Sequence, residues 1–191
     1  KKYELNKKWY KNLIDCCKKN NIKFISSPFD ISSIHFLKKL NLSYIKIPSG
    51  EIDNYPYLKE IASLNKKTIL STGMSTLKEI SFALKTLLKF GLSKNKISIL
   101  HCHTDYPSSI DDLNLNCIKT IKKIFKLQTG YSDHSMGITA PIVAAALGSE
   151  IIEKHLTLNR ELRGPDHQAS IDPKEFSQMV ASVRQVEKML G

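Results

Sequence analysis

The stretch LQTGYSDHSMG occupies residues 127–137 of this chain. It begins as an apolar run of strand length and ends in the polar residues Ser132, Asp133 and His134. In parallel α/β sheets, functional groups gather outside the carboxyl ends of the strands. The stretch therefore predicts a buried strand and a functional site directly after it.

Runs of similar length and composition recur along the chain. They are KFISS (23–27), YIKIPS (44–49), TILSTG (68–73), ISILHC (97–102), LQTGYSD (127–133) and EIIEKHLT (150–157). Each is short and apolar enough for a buried strand. Helical patterns separate them: one starts at Thr76 with Glu79 as its capping-box partner, and the last starts at Asp172 with Pro173 as its first residue. This alternation predicts a parallel sheet with right-handed crossovers.

Two architectures share this alternation. A doubly wound sheet binds its ligand at one switch point, whereas a barrel collects residues from the end of every strand. Polar residues follow all six runs, which favours the barrel. We therefore predict an α/β fold of the (β/α)8 TIM-barrel type, with residues 1–191 as one partial-barrel domain of six βα units. Six units are two fewer than a closed barrel contains.

Composition and charge narrow the choice of partners. The 191 residues are 41% hydrophobic, which is enough for a buried core, and their formal net charge is +11. Almost all of the positive charge is lysine, since the only arginines are Arg160, Arg163 and Arg184. Nucleic-acid readout favours arginine with aromatic stacking, so we predict no nucleic-acid partner. The lysines would still attract a small anionic substrate.

Other classes are excluded by what the sequence does not contain. It has no apolar run of membrane-spanning length, and the charged start KKYELNKK contains no export signal. We therefore expect a cytoplasmic protein with no membrane partner. The four cysteines have neither the spacing of a disulfide framework nor that of a zinc site, so buried, reduced thiols are expected.

Two histidines follow consecutive predicted strands. His134 and His155 would lie on one rim of a barrel, within reach of a common ion. Two neutral imidazoles completed by water or substrate oxygens suit Mn²⁺ or Zn²⁺. The alternative is that each is a hydrogen-bonded, half-buried histidine. In the sequence HCH, His101 and His103 would share one face of a strand and could add ligands or support the site from behind.

A cation and several hydroxyls follow the other predicted strands. They are Lys46, Ser49, Ser71, Thr72 and Ser132, and Gly50 and Gly73 allow the backbone to approach closely. Such groups together cradle a phosphate or carboxylate, although each alone could be a turn residue. Glu51 beside this anion site and Asp166 in the loop after the last strand are candidate proton handlers, or solvated loop carboxylates.

These motifs together resemble a known family. KIPSGEIDNYPYL, ILSTGM, LHCHTDYP, GYSDHSMG, EKHLT and GPDHQAS occur in an order and spacing that closely resemble the N-acetylneuraminate (sialic acid) synthase family, which includes the legionaminic and pseudaminic acid synthases. The resemblance runs from about Trp9 to Gly191. It implies a barrel enzyme that condenses phosphoenolpyruvate with an N-acetylated amino sugar, typically N-acetylmannosamine, to a nine-carbon 2-keto acid and phosphate.

The resemblance also implies roles for single residues. His134 and His155 match the metal ligands, with Mn²⁺ as the expected ion and Mg²⁺ and Co²⁺ as alternatives. The phosphoenolpyruvate-binding groups match Lys46, Ser49, Ser71 and Ser132. Thr104 stands at a further substrate contact where relatives vary. Tyr106 and Asp166 fall on the sugar side, and Glu51 is the glutamate of the SGE motif.

The resemblance has limits. The family begins with two further βα units and ends with a small antifreeze-like domain, and none of these is found in the 191 residues. Full-length members are expected to be homodimers. Two other functions stay open: another phosphoenolpyruvate–aldose synthase, which would need more arginines for a phosphorylated sugar, or a non-catalytic fragment that binds phosphate.

Overall fold

The computed structural model describes residues 5–191. Its strands are β1 (Tyr44–Ile47), β2 (Lys67–Ser71), β3 (Ile97–Cys102), β4 (Gln128–Asp133) and β5 (Ile152–Lys154). Its α-helices are α1 (Tyr10–Lys19), α2 (Ile31–Lys39), α3 (Tyr55–Ser63), α4 (Leu77–Lys89), α5 (Cys117–Phe125), α6 (Thr139–Ala146) and α7 (Pro173–Leu190). Short 3₁₀ helices include Ser49–Glu51, directly after β1.

The strands form one sheet in the order β1-β2-β3-β4-β5, and every pair is parallel. A helix connects each strand to the next. A doubly wound sheet would reverse its strand order at a switch point, and no reversal occurs here. The sheet is therefore an open arc of barrel type, with β1 and β5 at its edges.

One of the predicted strands is wrong. Residues 23–27 are not in a strand, and the described sheet has five strands instead of six. This segment runs beside β1 with a single backbone hydrogen bond, from Lys46 N to Ser26 O at 3.4 Å. A strand needs a continuous ladder of such bonds, and the side chain of Ile25 is 41% exposed instead of covered by a second neighbour.

The predicted helix starts are confirmed. Thr76 accepts a hydrogen bond from Glu79 N, and the Glu79 carboxylate accepts one from Thr76 N, which completes the capping box of α4. Asp172 and Glu175 form the same box at the start of α7. All four cysteines are unpaired, but the prediction that they are buried is correct only for Cys102, because Cys16 is exposed and Cys17 and Cys117 are half-buried. In residues 5–191, no helix has both the length and the apolar character needed to cross a bilayer.

The two faces of the sheet have different roles. Strand residues such as Ile45, Ile47 and Ile99 pack with α-helical residues in the main apolar core. Side chains alternate along a strand, so the residues between them point to the opposite, inner face. Lys46 and Ser132 lie on that inner face near the carboxyl ends of their strands. The fold therefore places polar side chains at the carboxyl end of the inner face, opposite the apolar core.

Candidate active site

A lysine, a serine and a glutamate meet on the inner face. Lys46 Nζ donates to Glu153 Oε1 at 2.9 Å, and Ser132 Oγ donates to the same oxygen at 2.6 Å. The side chain of Lys46 is only 12% exposed, whereas that of Glu153 is 42% exposed and faces the open side of the arc. Ser132 and Glu153 are paired in register across β4 and β5. The cluster therefore joins β1 to the last two strands.

The charge of Glu153 is set by this cluster. Burial alone would raise the pKa of its carboxyl, but the Lys46 ammonium and the hydrogen bonds from Ser132 and Lys46 outweigh that effect and lower the pKa. At neutral pH the site therefore contains an ion pair.

Other groups of the expected anion site lie at the ends of β1, β2 and β3. Ser49 Oγ accepts from Gly73 N at 2.9 Å and lies 3.3 Å from Cys102 Sγ. A Cβ on Gly73 would lie 2.5 Å from Thr104 Cγ2, so only glycine fits between these loops. Ser71 Oγ is buried and has no hydrogen-bond partner among residues 5–191. Since buried hydroxyls are almost always paired, Ser71 is a candidate ligand contact.

Three aromatic rings form a second cluster beside the first. The rings of His134 and His155 have their centroids 5.3 Å apart. Tyr106 stacks on His134 at 4.0 Å and meets His155 edge-on at 5.5 Å. Ser132 Oγ lies 3.5 Å from His134 Nε2, which links this cluster to the lysine–glutamate pair. The structure thus brings together the two histidines that the sequence singled out.

The His134 ring has the form that a metal ligand requires. Its Nδ1 donates to the backbone oxygen of His103, so the Nε2 lone pair is left for another partner. Burial lowers the pKa of His134, and nearby His155 lowers it further, although the bond to His103 opposes both. The ring is therefore neutral. In residues 5–191, no group of three or more His, Cys, Asp or Glu side chains is gathered to hold a metal, so the protein offers two nitrogens.

The Tyr106 phenol, 43% exposed, adjoins both histidines. Burial, Cys102 and then the charges of Asp166 and Glu153 raise the pKa of Tyr106 to about 12. The phenol therefore stays protonated and can donate a hydrogen bond at neutral pH. Asp166 contributes to this shift, and its expected role on the sugar side stays a prediction.

Glu51 lies in the 3₁₀ turn after β1, where its Oε2 accepts from Asn54 Nδ2 at 2.6 Å. Asn54 caps helix α3 through the Tyr57 amide. No hydrogen bond joins Glu51 to the inner cluster within the described residues, so its expected role as a proton handler stays a prediction.

Three residues that seemed to belong to the rim point elsewhere. Asp133 and Lys154 form an ion pair of 2.6 Å whose two side chains are fully buried. His101 Nε2 contacts the Leu113 backbone oxygen at 2.8 Å, and its ring stacks on Tyr131 in the outer layer. Of the two roles left open for His101, these contacts fit a supporting position behind the site and not a ligand. His103 contributes its backbone oxygen to the site.

Glu153 is the member of the inner cluster that sequence reasoning missed. The signal was its spacing, because Glu153 stands two residues before His155 just as Ser132 stands two residues before His134. Side chains two apart on a strand share a face. The period of two therefore predicts that a rim histidine and the residue two before it point the same way.

The fold and the site together define a class: a parallel barrel arc in which a lysine–serine–glutamate cluster lies next to a pair of histidines on the rim. The chain belongs to the NeuB family, which it matches over residues 1–191. It is 50% identical over 190 residues to the N,N'-diacetyllegionaminic acid synthase of Campylobacter jejuni, covering 100% of this chain and 57% of the relative. The pseudaminic acid synthase of the same strain is 37% identical over 184 residues, covering 96% of this chain and 53% of that protein.

A solved structure supports the fold assignment. The N-acetylneuraminic acid synthetase of Leptospira borgpetersenii, crystallised with citrate, superposes with a TM-score of 0.93 at 38% identity. The alignment covers 98% of this chain and 65% of that protein. The predicted TIM-barrel fold is confirmed, and the chain spans about half the length of the curated relatives it matches.

Proposed function

We propose that this chain provides the phosphoenolpyruvate and metal sites of a synthase that condenses phosphoenolpyruvate with an N-acetylated amino sugar. The products are a nine-carbon 2-keto acid and phosphate. One observation carries the proposal: the cluster of Lys46 and Ser132 adjoins the His134–His155 pair, with Ser132 Oγ only 3.5 Å from His134 Nε2. An anionic and a carbonyl substrate could therefore be held side by side.

The anion half of the site suits phosphoenolpyruvate. Lys46 is a largely enclosed cation that can exchange its bond to Glu153 for a phosphate or carboxylate oxygen. Ser132 and the unpaired hydroxyl of Ser71 provide neutral donors on the same face. Ser49 and Thr104 lie against Gly73, where the loops after three strands meet. These groups hold the substrate so that its C3 faces the histidine pair.

The histidine half suits a divalent cation. His134 Nε2 has its lone pair available, and the His155 ring lies beside it, so two imidazole nitrogens can be combined with oxygen ligands from substrate and water. Such a mixed set suits Mn²⁺, which we propose as the ion, with Mg²⁺ and Co²⁺ as alternatives. When bound, the cation supplies a Lewis acid for the aldehyde oxygen of the open-chain sugar.

The reaction makes one carbon–carbon bond. C3 of phosphoenolpyruvate attacks the aldehyde carbon, water adds to the cationic C2, and phosphate leaves by cleavage of its bond to C2. The aldehyde oxygen must gain one proton. The water must lose two, one as it adds to C2 and one as the bond from C2 to phosphate breaks and the ketone forms, and the departing phosphate can take up the second. We propose Asp166, on the sugar side, and Glu51 as the proton handlers. Lys46 stabilises the negative charge of the phosphate throughout.

The sugar itself is a finer question. From the resemblance alone, N-acetylmannosamine is the expected substrate. The higher identity to an N,N'-diacetyllegionaminic acid synthase than to the N-acetylneuraminate-9-phosphate synthase of Mus musculus, 50% against 35%, supports a sugar with two acetamido groups instead. We therefore propose the doubly N-acetylated sugar as the preferred substrate and N-acetylmannosamine as a weaker one. We also propose that the complete enzyme works as a cytoplasmic homodimer.

The test supplies the barrel units that this arc does not contain. The chain replaces the matching 190 residues in the Campylobacter jejuni legionaminic acid synthase, and the hybrid is given phosphoenolpyruvate, Mn²⁺ and each candidate sugar. We expect phosphate release and a nine-carbon keto acid by mass spectrometry. The His155→Ala hybrid should be inactive, whereas His35→Ala, at a surface histidine paired with Glu60, should be fully active. Turnover of a phosphorylated aldose only, or phosphoenolpyruvate binding without any product, would overturn the proposal.

A further inference from the structure

We propose that the buried Asp133–Lys154 pair is a positioning device for the site. It would hold the ends of β4 and β5 so that the site residues on either side of it face each other. The inference rests on the proposed function for the identity of those site residues, but it concerns two residues that touch no substrate.

The pair lies between residues of the proposed site. Asp133 stands between Ser132 and His134, and Lys154 stands between Glu153 and His155. The two are register partners, directly after the Ser132–Glu153 pair. Because side chains alternate, the ion pair points away from the inner face while its neighbours point toward it. A shift of Asp133 against Lys154 would move all four neighbouring site residues.

Several hydrogen bonds fix the position of the pair. Asp133 Oδ2 accepts from Lys154 Nζ at 2.6 Å, and Oδ1 accepts from Tyr131 Oη at 2.9 Å. Oδ1 also accepts from Ser135 N and Oγ at 3.0 and 2.7 Å. Lys154 Nζ donates in addition to the Ser135 backbone oxygen. The network therefore ties the turn after His134 to the strand that leads to His155.

Strand β5 is short and lies at the edge of the described sheet. It has three residues, all of them half-buried, and it pairs with β4 over three register positions at the edge of the described sheet. Backbone pairing of this length specifies register weakly. Directly after the pair, His155 leaves the ladder and its oxygen accepts from Ile171 N. The ion pair is thus the last link between the two strands before the ligand residue.

Stability alone does not account for a buried ion pair. Its desolvation cost can equal the attraction, and apolar residues of similar volume often replace such a pair without loss of stability. The four hydrogen bonds of Asp133 fix one arrangement of the two strand ends. Apolar side chains make no such directional contacts, so they would not fix the orientation of one strand end relative to the other.

The test therefore replaces both charges together. The double variant Asp133→Asn/Lys154→Met keeps the volume, keeps an acceptor oxygen for Tyr131 and Ser135, and leaves no unpaired buried charge. It should therefore fold with a thermal midpoint close to that of the unaltered chain. The control removes the half-exposed pair of Lys122 and Glu150, 3.0 Å apart, as Lys122→Met/Glu150→Gln. Both are made in the 191-residue chain.

Two measurements decide the role of the pair. The first is the affinity for Mn²⁺, measured from the electron paramagnetic resonance signal of the free ion. We expect it to fall about ten- to a hundredfold in the double variant, as when residues that orient metal ligands are lost, and to stay unchanged in the control. Lys154→Arg, which retains the charge, should recover part of the loss.

The second measurement needs no ligand. The nitrogen NMR spectrum of the histidine rings should show His134 as a single Nδ1–H tautomer in the unaltered chain and as a mixture in the double variant. A folded double variant with unchanged tautomer and unchanged Mn²⁺ affinity would overturn the positioning role and leave the proposed function intact. If the unaltered chain bound no Mn²⁺, the proposed metal site would fail, and the tautomer would still decide the role of the pair.

Discussion

Replacing Lys46 by Met tests the anion site most sharply. Methionine keeps most of the stem volume and removes the charge, so β1 should stay packed. In the unaltered chain the ammonium is 12% exposed and lies 2.9 Å from Glu153. In the variant the carboxylate loses the charge that chiefly lowers its pKa, so the pKa of Glu153 should rise, and the remaining negative charge should repel phosphoenolpyruvate.

The size of the effect follows from the lost bond. A hydrogen bond to a charged group contributes about 1.5–3 kcal/mol, which corresponds to about a ten- to hundredfold loss of affinity. We expect this loss for phosphoenolpyruvate in calorimetric titrations of the 191-residue chain. Affinity for the uncharged sugar should change less than about threefold, since no charge-assisted bond is lost.

The control for net charge is Lys122→Met, which removes the same charge from a lysine that is 46% exposed. It should leave phosphoenolpyruvate affinity nearly unaltered, because exposed charges are screened by salt. Lys46→Met/Glu153→Gln should bind better than Lys46→Met alone, because the repulsive carboxylate is gone. Equal losses in Lys46→Met and Lys122→Met, or equal losses for both substrates, would refute the assignment.

Three other outcomes are expected from urea and light-scattering measurements. Glu175→Gln keeps an acceptor for the Asp172 amide but loses the charge paired with Arg160, so it should lower the free energy of unfolding by less than about 1 kcal/mol at neutral pH. Hydrogen bonds from Arg160 and the Asp172 amide lower the pKa of Glu175 below 4.5, so this difference should be complete above that pH and vanish as the pH falls through the lowered pKa; a constant difference would contradict it. Gly130→Ala, whose Cβ would lie 2.3 Å from a backbone oxygen, should destabilise the chain more than Gly50→Ala, which has nothing within 4 Å, and equal stabilities would argue against the close strand approach. The open edges of β1 and β5 should make the chain associate, so a well-behaved monomer would show that the edges are protected.

The fold could be predicted from the sequence where local signals were strong. Thr76 with Glu79 and Asp172 with Glu175 determine their helix starts through side chains three residues apart, and both capping boxes are present. The segment 23–27 has an equally apolar sequence but forms no strand, because strand formation depends on a neighbour elsewhere in the chain. Local composition contains no information about that neighbour.

The sequence predicted which residues belong to the candidate site better than it predicted which way their side chains point. The pairing of His134 with His155 followed from their positions after consecutive strands. The direction of Lys154 depended on the register of a three-residue strand, and the sequence alone did not reveal that its charge is neutralised by Asp133 behind the sheet. Glu153, one residue earlier, occupies the position on the inner face.

The adjacency of the anion and metal sites is the central claim, and one measurement tests it directly. Mn²⁺ bound to the chain relaxes the phosphorus nuclei of nearby ligands, so the phosphorus NMR signal of bound phosphoenolpyruvate is recorded with a substoichiometric amount of Mn²⁺. We expect strong broadening of this signal in the unaltered chain. The His134→Ala variant should still bind phosphoenolpyruvate but should show no broadening. Broadening that persists in His134→Ala, or both ligands binding to the unaltered chain without broadening, would contradict the claim.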